Sequence, residues 1–73
     1  MEYSFEVIAK RIKEIRVENK LSQSGFGKIL NVSQDTVSLW EKGKSIPTVE
    51  YIIGISLYFK VSADYLLGLK DFF

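Results

Sequence analysis

Residues 21–43 read Leu-Ser-Gln-Ser-Gly-Phe-Gly-Lys-Ile-Leu-Asn-Val-Ser-Gln-Asp-Thr-Val-Ser-Leu-Trp-Glu-Lys-Gly. Ser22 is a good N-cap, and it predicts a helix from Gln23 to about Leu30 with Phe26, Ile29 and Leu30 on its apolar face. Asn31-Val32 makes a tight turn. Ser33 caps a further helix, Gln34 to Lys42, which stops at Gly43, a common residue just past a helix end. Gly25 and Gly27 each cost a helix up to ~1 kcal/mol against alanine. Their presence implies that another helix approaches closely there.

Working outward, Phe5, Ile8, Ile12 and Ile15 recur at helical spacing, so residues 5–19 read as an amphipathic helix ended by Asn19-Lys20. On the other side, Lys44-Ser45-Ile46-Pro47 is a loop. Thr48 caps a helix running to about Phe59, with Glu50 well placed against the positive end of its dipole. Val49, Ile52, Ile55 and Phe59 fit its core stripe, and Ile53 and Leu57 are left over. Ser62 caps a last short helix, Ala63 to Leu67, ended by Gly68. Nothing alternates with period two, so no sheet is expected. The expectation is an all-α, compact five-helix fold, one domain over residues 1–73 with its core at about 5–68 and a short tail at 69–73.

Composition narrows the function. The chain has 73 residues, 47% of them hydrophobic, with no cysteine and no histidine. A Cys-based zinc site, a disulfide framework and the commonest general base are therefore excluded, and no metal, cofactor or catalytic residue is expected. A chain this short buries only ~60% of its unfolded surface, which favours a module that works through its exterior. The longest uncharged apolar stretch, Tyr51 to Phe59, is nine residues, about half of a membrane span. Glu2 and Glu6 precede any lysine, the wrong pattern for a signal peptide. A soluble cytoplasmic protein is expected.

Net charge is +1, but it is unevenly spread. Residues 10–44 hold eight bases and four acids, while the rest holds two bases and five acids. The excess points the first two-thirds of the chain at an anionic partner. A solvated face of mixed charge fits the same numbers equally well. At ~100° per residue, Val37 and Trp40 share one side of the third helix and face the core. Gln34, Asp35, Ser38, Leu39 and Lys42 fall on the opposite arc. Small and polar side chains on a short helix suit base edges in a major groove: glutamine pairs with adenine, aspartate accepts from cytosine N4, and leucine meets a thymine methyl. An ordinary surface helix needs polar residues outside as well, so this helix alone does not decide.

The helix before it does. Two helices joined by Asn31-Val32-Ser33 have helix-turn-helix geometry, in which the second helix reads the groove. Leu21-Ser22-Gln23, Phe26, Ile29-Leu30, Val32-Ser33-Gln34, Thr36-Val37-Ser38, Trp40-Glu41-Lys42-Gly43-Lys44 and Pro47 together resemble the Cro/repressor-type helix-turn-helix family. That family includes the phage lambda-like repressors and the xenobiotic-response-element regulators. Val61-Ser62-Ala63-Asp64-Tyr65-Leu66-Leu67 resembles its closing helix. The likeness extends over roughly residues 5–68 and implies a lambda repressor-like domain that binds double-stranded DNA at a palindromic operator.

The resemblance also implies roles. Base-reading positions fall on Gln34, Asp35, Thr36, Ser38 and Leu39. Phosphate contacts fall on Ser22 and Gln23 at a helix N-terminus and on Lys42, Lys44 and Ser45 in the loop after the third helix. Arg16 and Glu41 occupy the positions of a partly buried structural ion pair. Leu39 departs from the Arg, Lys or Gln of many relatives, and Asp35 is unusual facing DNA. Family members form dimers through the last two helices, which makes Ile53, Leu57, Tyr65, Phe72 and Phe73 interface candidates in a homodimer. A tail folded back on the first helix is the other use for the last two. Two classes of function follow: a dimeric transcriptional repressor of phage or prophage type, and an antitoxin-like module that docks a protein partner with DNA binding secondary. No enzyme is expected.

Overall fold

Among the described residues, a serine opens three of the five helices, and each uses its hydroxyl in the same way. The structure, a computed structural model, describes residues 5–70. The helices are α1 (Phe5–Glu18), α2 (Gln23–Leu30), α3 (Gln34–Glu41), α4 (Val49–Phe59) and α5 (Ala63–Leu66). Ser22 Oγ accepts from the Gly25 amide at 2.9 Å, Ser33 Oγ from Thr36 at 3.1 Å and Ser62 Oγ from Tyr65 at 3.0 Å. Each satisfies an amide that the first helical turn leaves without a partner, a contribution of about 1 kcal/mol. Thr48 has the extended backbone of a cap, yet its side chain makes no cap hydrogen bond. Its carbonyl alone engages the first turn, accepting from Tyr51 and Ile52 at 3.0 Å.

The helix ends follow from local chemistry too. Asn31 ends α2 in the left-handed conformation, at φ 61°, and its amide donates to the carbonyls of Gly27 and Lys28. Gly43 follows α3 at φ 71°, where a side chain would find open space. It is the backbone angle that favours glycine there. Gly27 answers to a different constraint. A Cβ at this position would lie 2.6 Å from the Val32 carbonyl oxygen and 3.4 Å from Ser33. The close neighbour is thus the turn entering α3, not the flank of a helix. Gly25 has no such neighbour: a Cβ would meet only Ser22 and Leu21 of its own cap. At Gly54 of α4, a Cβ would meet only the end of the Leu30 side chain of α2, at 3.4 Å.

The core is built from one face of each helix: Ile8, Ile12 and Ile15 of α1, Phe26 of α2, Val37 and Trp40 of α3, Ile52 and Ile55 of α4, and Leu66 of α5. The Phe26 and Phe59 rings stack at 5.3 Å, and Trp40 tilts against Tyr51 at 5.5 Å. These ring pairs pin α4 to the α2–α3 unit. Two stripe positions read from the spacing lie outside the core. Phe5 is exposed at the start of α1, and Val49, expected inside, is 74% exposed. Buried Pro47 and the Trp40–Tyr51 pair close that end of the core instead, so the α4 stripe begins at Ile52.

A contact between distant parts of the chain closes the fold. Arg11 Nη1 donates to the Tyr65 carbonyl at 2.6 Å and to the Lys70 carbonyl at 2.7 Å, and its guanidinium lies 4.2 Å from the centre of the Tyr65 ring. One arginine therefore ties the segment after α5 to α1. Tyr65, an interface candidate from the sequence, is only 7% exposed within its own chain. Burial, with the negative charge of Glu14 nearby, pushes its hydroxyl above the ordinary tyrosine range. It belongs to the core and is not available as a docking surface. Phe72 and Phe73 lie outside the described residues.

Candidate nucleic-acid interface

α3 packs against both α1 and α2, with Val37 and Trp40 at 0% and 2% exposure. That fixes which side faces out. Gln34, Asp35 and Leu39 are exposed, Thr36 and Ser38 half-buried. The Thr36 hydroxyl sits 3.0 Å from Ser33 Oγ and so is engaged at the helix start. Lys42 and Lys44 are exposed beyond the helix end, with Ser45 half-buried beside them. The Lys44 amide donates to the Leu39 carbonyl at 3.0 Å, which holds that loop against the end of α3.

Beneath this face runs a chain of polar contacts. Arg16 Nε donates to Glu41 Oε2 at 2.7 Å and Arg16 Nη2 to Glu41 Oε1 at 3.0 Å, a two-pronged pair. Its side chains are 14% and 5% exposed. The hydrogen bond to Glu41 raises the Arg16 pKa, burial opposes that shift and the Glu41 charge adds to it, so the guanidinium stays charged. Arg16 Nη1 also donates to the Leu21 carbonyl at 2.9 Å. Three segments, α1, the α1–α2 turn and the end of α3, thus meet at one arginine.

The chain continues to the surface. Gln23 Nε2 donates to Glu41 Oε1 at 3.2 Å, and Gln34 Nε2 donates to Gln23 Oε1 at 3.1 Å. Gln23 and Gln34 are the first residues of α2 and α3, each directly after its serine cap. The repeated Ser-Gln dipeptide is the sequence signal for this pairing, whereas the family resemblance alone points Gln23 at a phosphate. A glutamine amide is symmetric enough to flip, but here each partner fixes the choice: only nitrogen donates to a carboxylate. Gln34 is therefore presented with its carbonyl oxygen and one N–H unused in these contacts, an acceptor and a donor side by side. The α2 N-terminus keeps the Gln23 and Ser24 amides ahead of its first helical hydrogen bond, which runs from Phe26 to Ser22.

Residues 12–66 match the model of the helix-turn-helix family. The chain belongs to that family, in its Cro/repressor branch. It is 32% identical over 62 residues to repressor protein C2 of Salmonella phage P22, covering 85% of this chain and 29% of that protein. It is 34% identical over 59 residues to the HTH-type transcriptional activator BcrR of Enterococcus faecalis, covering 81% and 29%. It is 33% identical over 64 residues to the HTH-type transcriptional regulator ImmR of Bacillus subtilis, covering 88% and 50%. The chain thus spans between three-tenths and one half of these curated relatives. A crystal structure of the P22 c2 repressor in complex with a synthetic operator superposes with a TM-score of 0.78 at 33% identity, over 84% of this chain and 92% of that one. The all-α, five-helix architecture of this helix-turn-helix chain is that of the repressor.

Among the described residues, no helix is long and apolar enough to cross a membrane.

Proposed function

We propose that this chain is a sequence-specific transcriptional regulator that binds double-stranded DNA as a homodimer and reads the major groove with α3. The observation that carries the proposal is the presentation of Gln34 at the outer surface of a repressor-like fold: its amide donates to Gln23, which donates to Glu41, which Arg16 holds in turn. Preorganisation of this kind suits bidentate pairing with adenine. Asp35, an acceptor only, selects the N4 amine of cytosine. Ser38 and Thr36 supply adaptable contacts and Leu39 an apolar one. Ser22 and the free amides at the α2 N-terminus, with Lys42, Lys44 and Ser45, hold the phosphates that set register. The protein acts in the cytoplasm, on the nucleoid.

The homodimer rests on α4. Val49, Ile53 and Leu57 follow one another every four residues and are 74%, 51% and 74% exposed. Helical spacing puts them with Glu50 and Lys60 within roughly 100° of arc. Two copies of α4 packed antiparallel through this exposed strip, with the two-fold axis at the level of Ile55 along the helix, place Ile53 against the second copy's Leu57 and Glu50 near its Lys60, so apolar and charged positions both complement. An isologous contact of this kind sets two recognition helices on a palindrome. The same surplus is what an antitoxin-like module would use to hold a different protein.

One experiment separates these readings. Duplex binding is measured against salt for the wild type and for Leu57→Glu. If each protomer neutralises ~4 phosphates, the dimer gives a log–log slope of about −7 and the monomeric variant about half that. The variant also loses self-association. An unchanged slope and unchanged duplex affinity in Leu57→Glu, with loss of a co-purifying protein, overturns the homodimer in favour of the protein-docking module.

A further inference from the structure

We infer that Leu39 reads the C5 methyl group of a pyrimidine at one position in each half-site, so that binding discriminates methylated from unmethylated pyrimidine rings. The inference deepens the DNA-reading function proposed for α3 and rests on it. Leu39 is the one apolar side chain on the outward arc of α3, among Gln34, Asp35, Ser38 and Lys42, and it is 43% exposed. The core does not need it, since Val37 and Trp40 fill the inward side. Without donor or acceptor, it cannot pair with a base edge. The only apolar group that a base presents in the major groove is the methyl at C5, carried by thymine and by 5-methylcytosine.

Its neighbours define where that methyl lies. Asp35 precedes it by one helical turn, which sets the two side chains ~5–6 Å apart on the same strip. Base steps are ~3.4 Å along a strand. The two residues therefore address pyrimidines one or two steps apart, Asp35 through the exocyclic amine and Leu39 through the ring methyl. The Leu39 carbonyl is fixed by the Lys44 amide at 3.0 Å, which couples the depth of the side chain to the basic loop of Lys42 and Lys44. A methyl reader needs such control, because van der Waals contact fails over less than an ångström.

The test uses the best duplex recovered by site selection. Each thymine is replaced singly by deoxyuridine, which removes only the methyl. The expected result is one position per half-site where affinity falls about fourfold, the equivalent of ~0.8 kcal/mol for one buried methyl. Leu39→Ala shows the same loss on the thymine duplex and no further loss on deoxyuridine. At that position 5-methylcytosine outbinds cytosine if the ring methyl is what is read, and matches it if the thymine carbonyl is. A thermal melt confirms that Leu39→Ala stays folded, as its exposure predicts. A deoxyuridine profile that is flat, or that is the same in Leu39→Ala as in the wild type, overturns the inference and leaves the DNA-reading function standing. Failure to recover any preferred duplex overturns both.

Discussion

Glu41→Ala abolishes the cooperative thermal transition of this protein at physiological temperature. The carboxylate accepts from Arg16 at 2.7 and 3.0 Å and from Gln23 at 3.2 Å. Its loss leaves a guanidinium with a 14% exposed side chain facing no countercharge. Removing one partner of a pair this enclosed costs about 3–5 kcal/mol. A small core with no disulfide supplies about the same amount in total. Circular dichroism on heating reads the result directly. Glu41→Gln separates charge from shape: it keeps an acceptor for Gln23 but not the ion pair, so it retains a cooperative transition, at a lower temperature than the wild type. A Glu41→Ala melt that overlays the wild type contradicts the role given to this pair.

Trp40→Ala is the second large effect. Its side chain is 2% exposed and tilted against Tyr51, so truncation opens a cavity between α3 and α4 at a cost of about 3–5 kcal/mol. Trp40→Phe recovers most of it. The position can also be read without mutation, because this is the only tryptophan in the chain. A ring enclosed in the core keeps a blue-shifted emission, and adding single-stranded nucleic acid leaves it unchanged. Quenching by single strands would place the ring outside and mark it as a stacking surface instead.

Much of the fold was legible because its signals are local. Ser22, Ser33 and Ser62 announce helix starts, Asn31 and Gly43 announce ends, and the spacing of Val37 and Trp40 shows which side of α3 is buried. Local signals fail where a residue answers to a distant one. Val49 continues the α4 stripe by spacing, but Pro47, Tyr51 and Trp40 already close that end of the core. Gly25 and Gly27 look alike as weak helix formers, and only the second has a backbone oxygen where its side chain would be. Thr48 has the composition of a cap and the backbone of one, and the bond is not made.

The same distinction runs through the candidate interface. That α3 carries Gln34, Asp35 and Leu39 outward follows from the period of the helix. That Gln34 is held by Gln23 does not, since the two are joined across two helices by a side-chain bond of 3.1 Å. Arg11 and Arg16 entered the sequence as part of a basic stretch. Both are occupied inside the fold, by the carbonyls of Tyr65 and Lys70 in one case and by Glu41 in the other. The exposed positive charge of residues 10–44 therefore rests on lysines, of which Lys42 and Lys44 lie just beyond the end of α3.

Selection of binding sites from a random duplex library, at one fixed salt concentration near physiological, decides whether this protein reads a palindrome with α3. The expected result is enrichment of an inverted repeat with half-sites ~10 bp apart, each containing an adenine that Gln34→Ala no longer selects. No enrichment, with only weak salt-sensitive binding to every duplex, contradicts it.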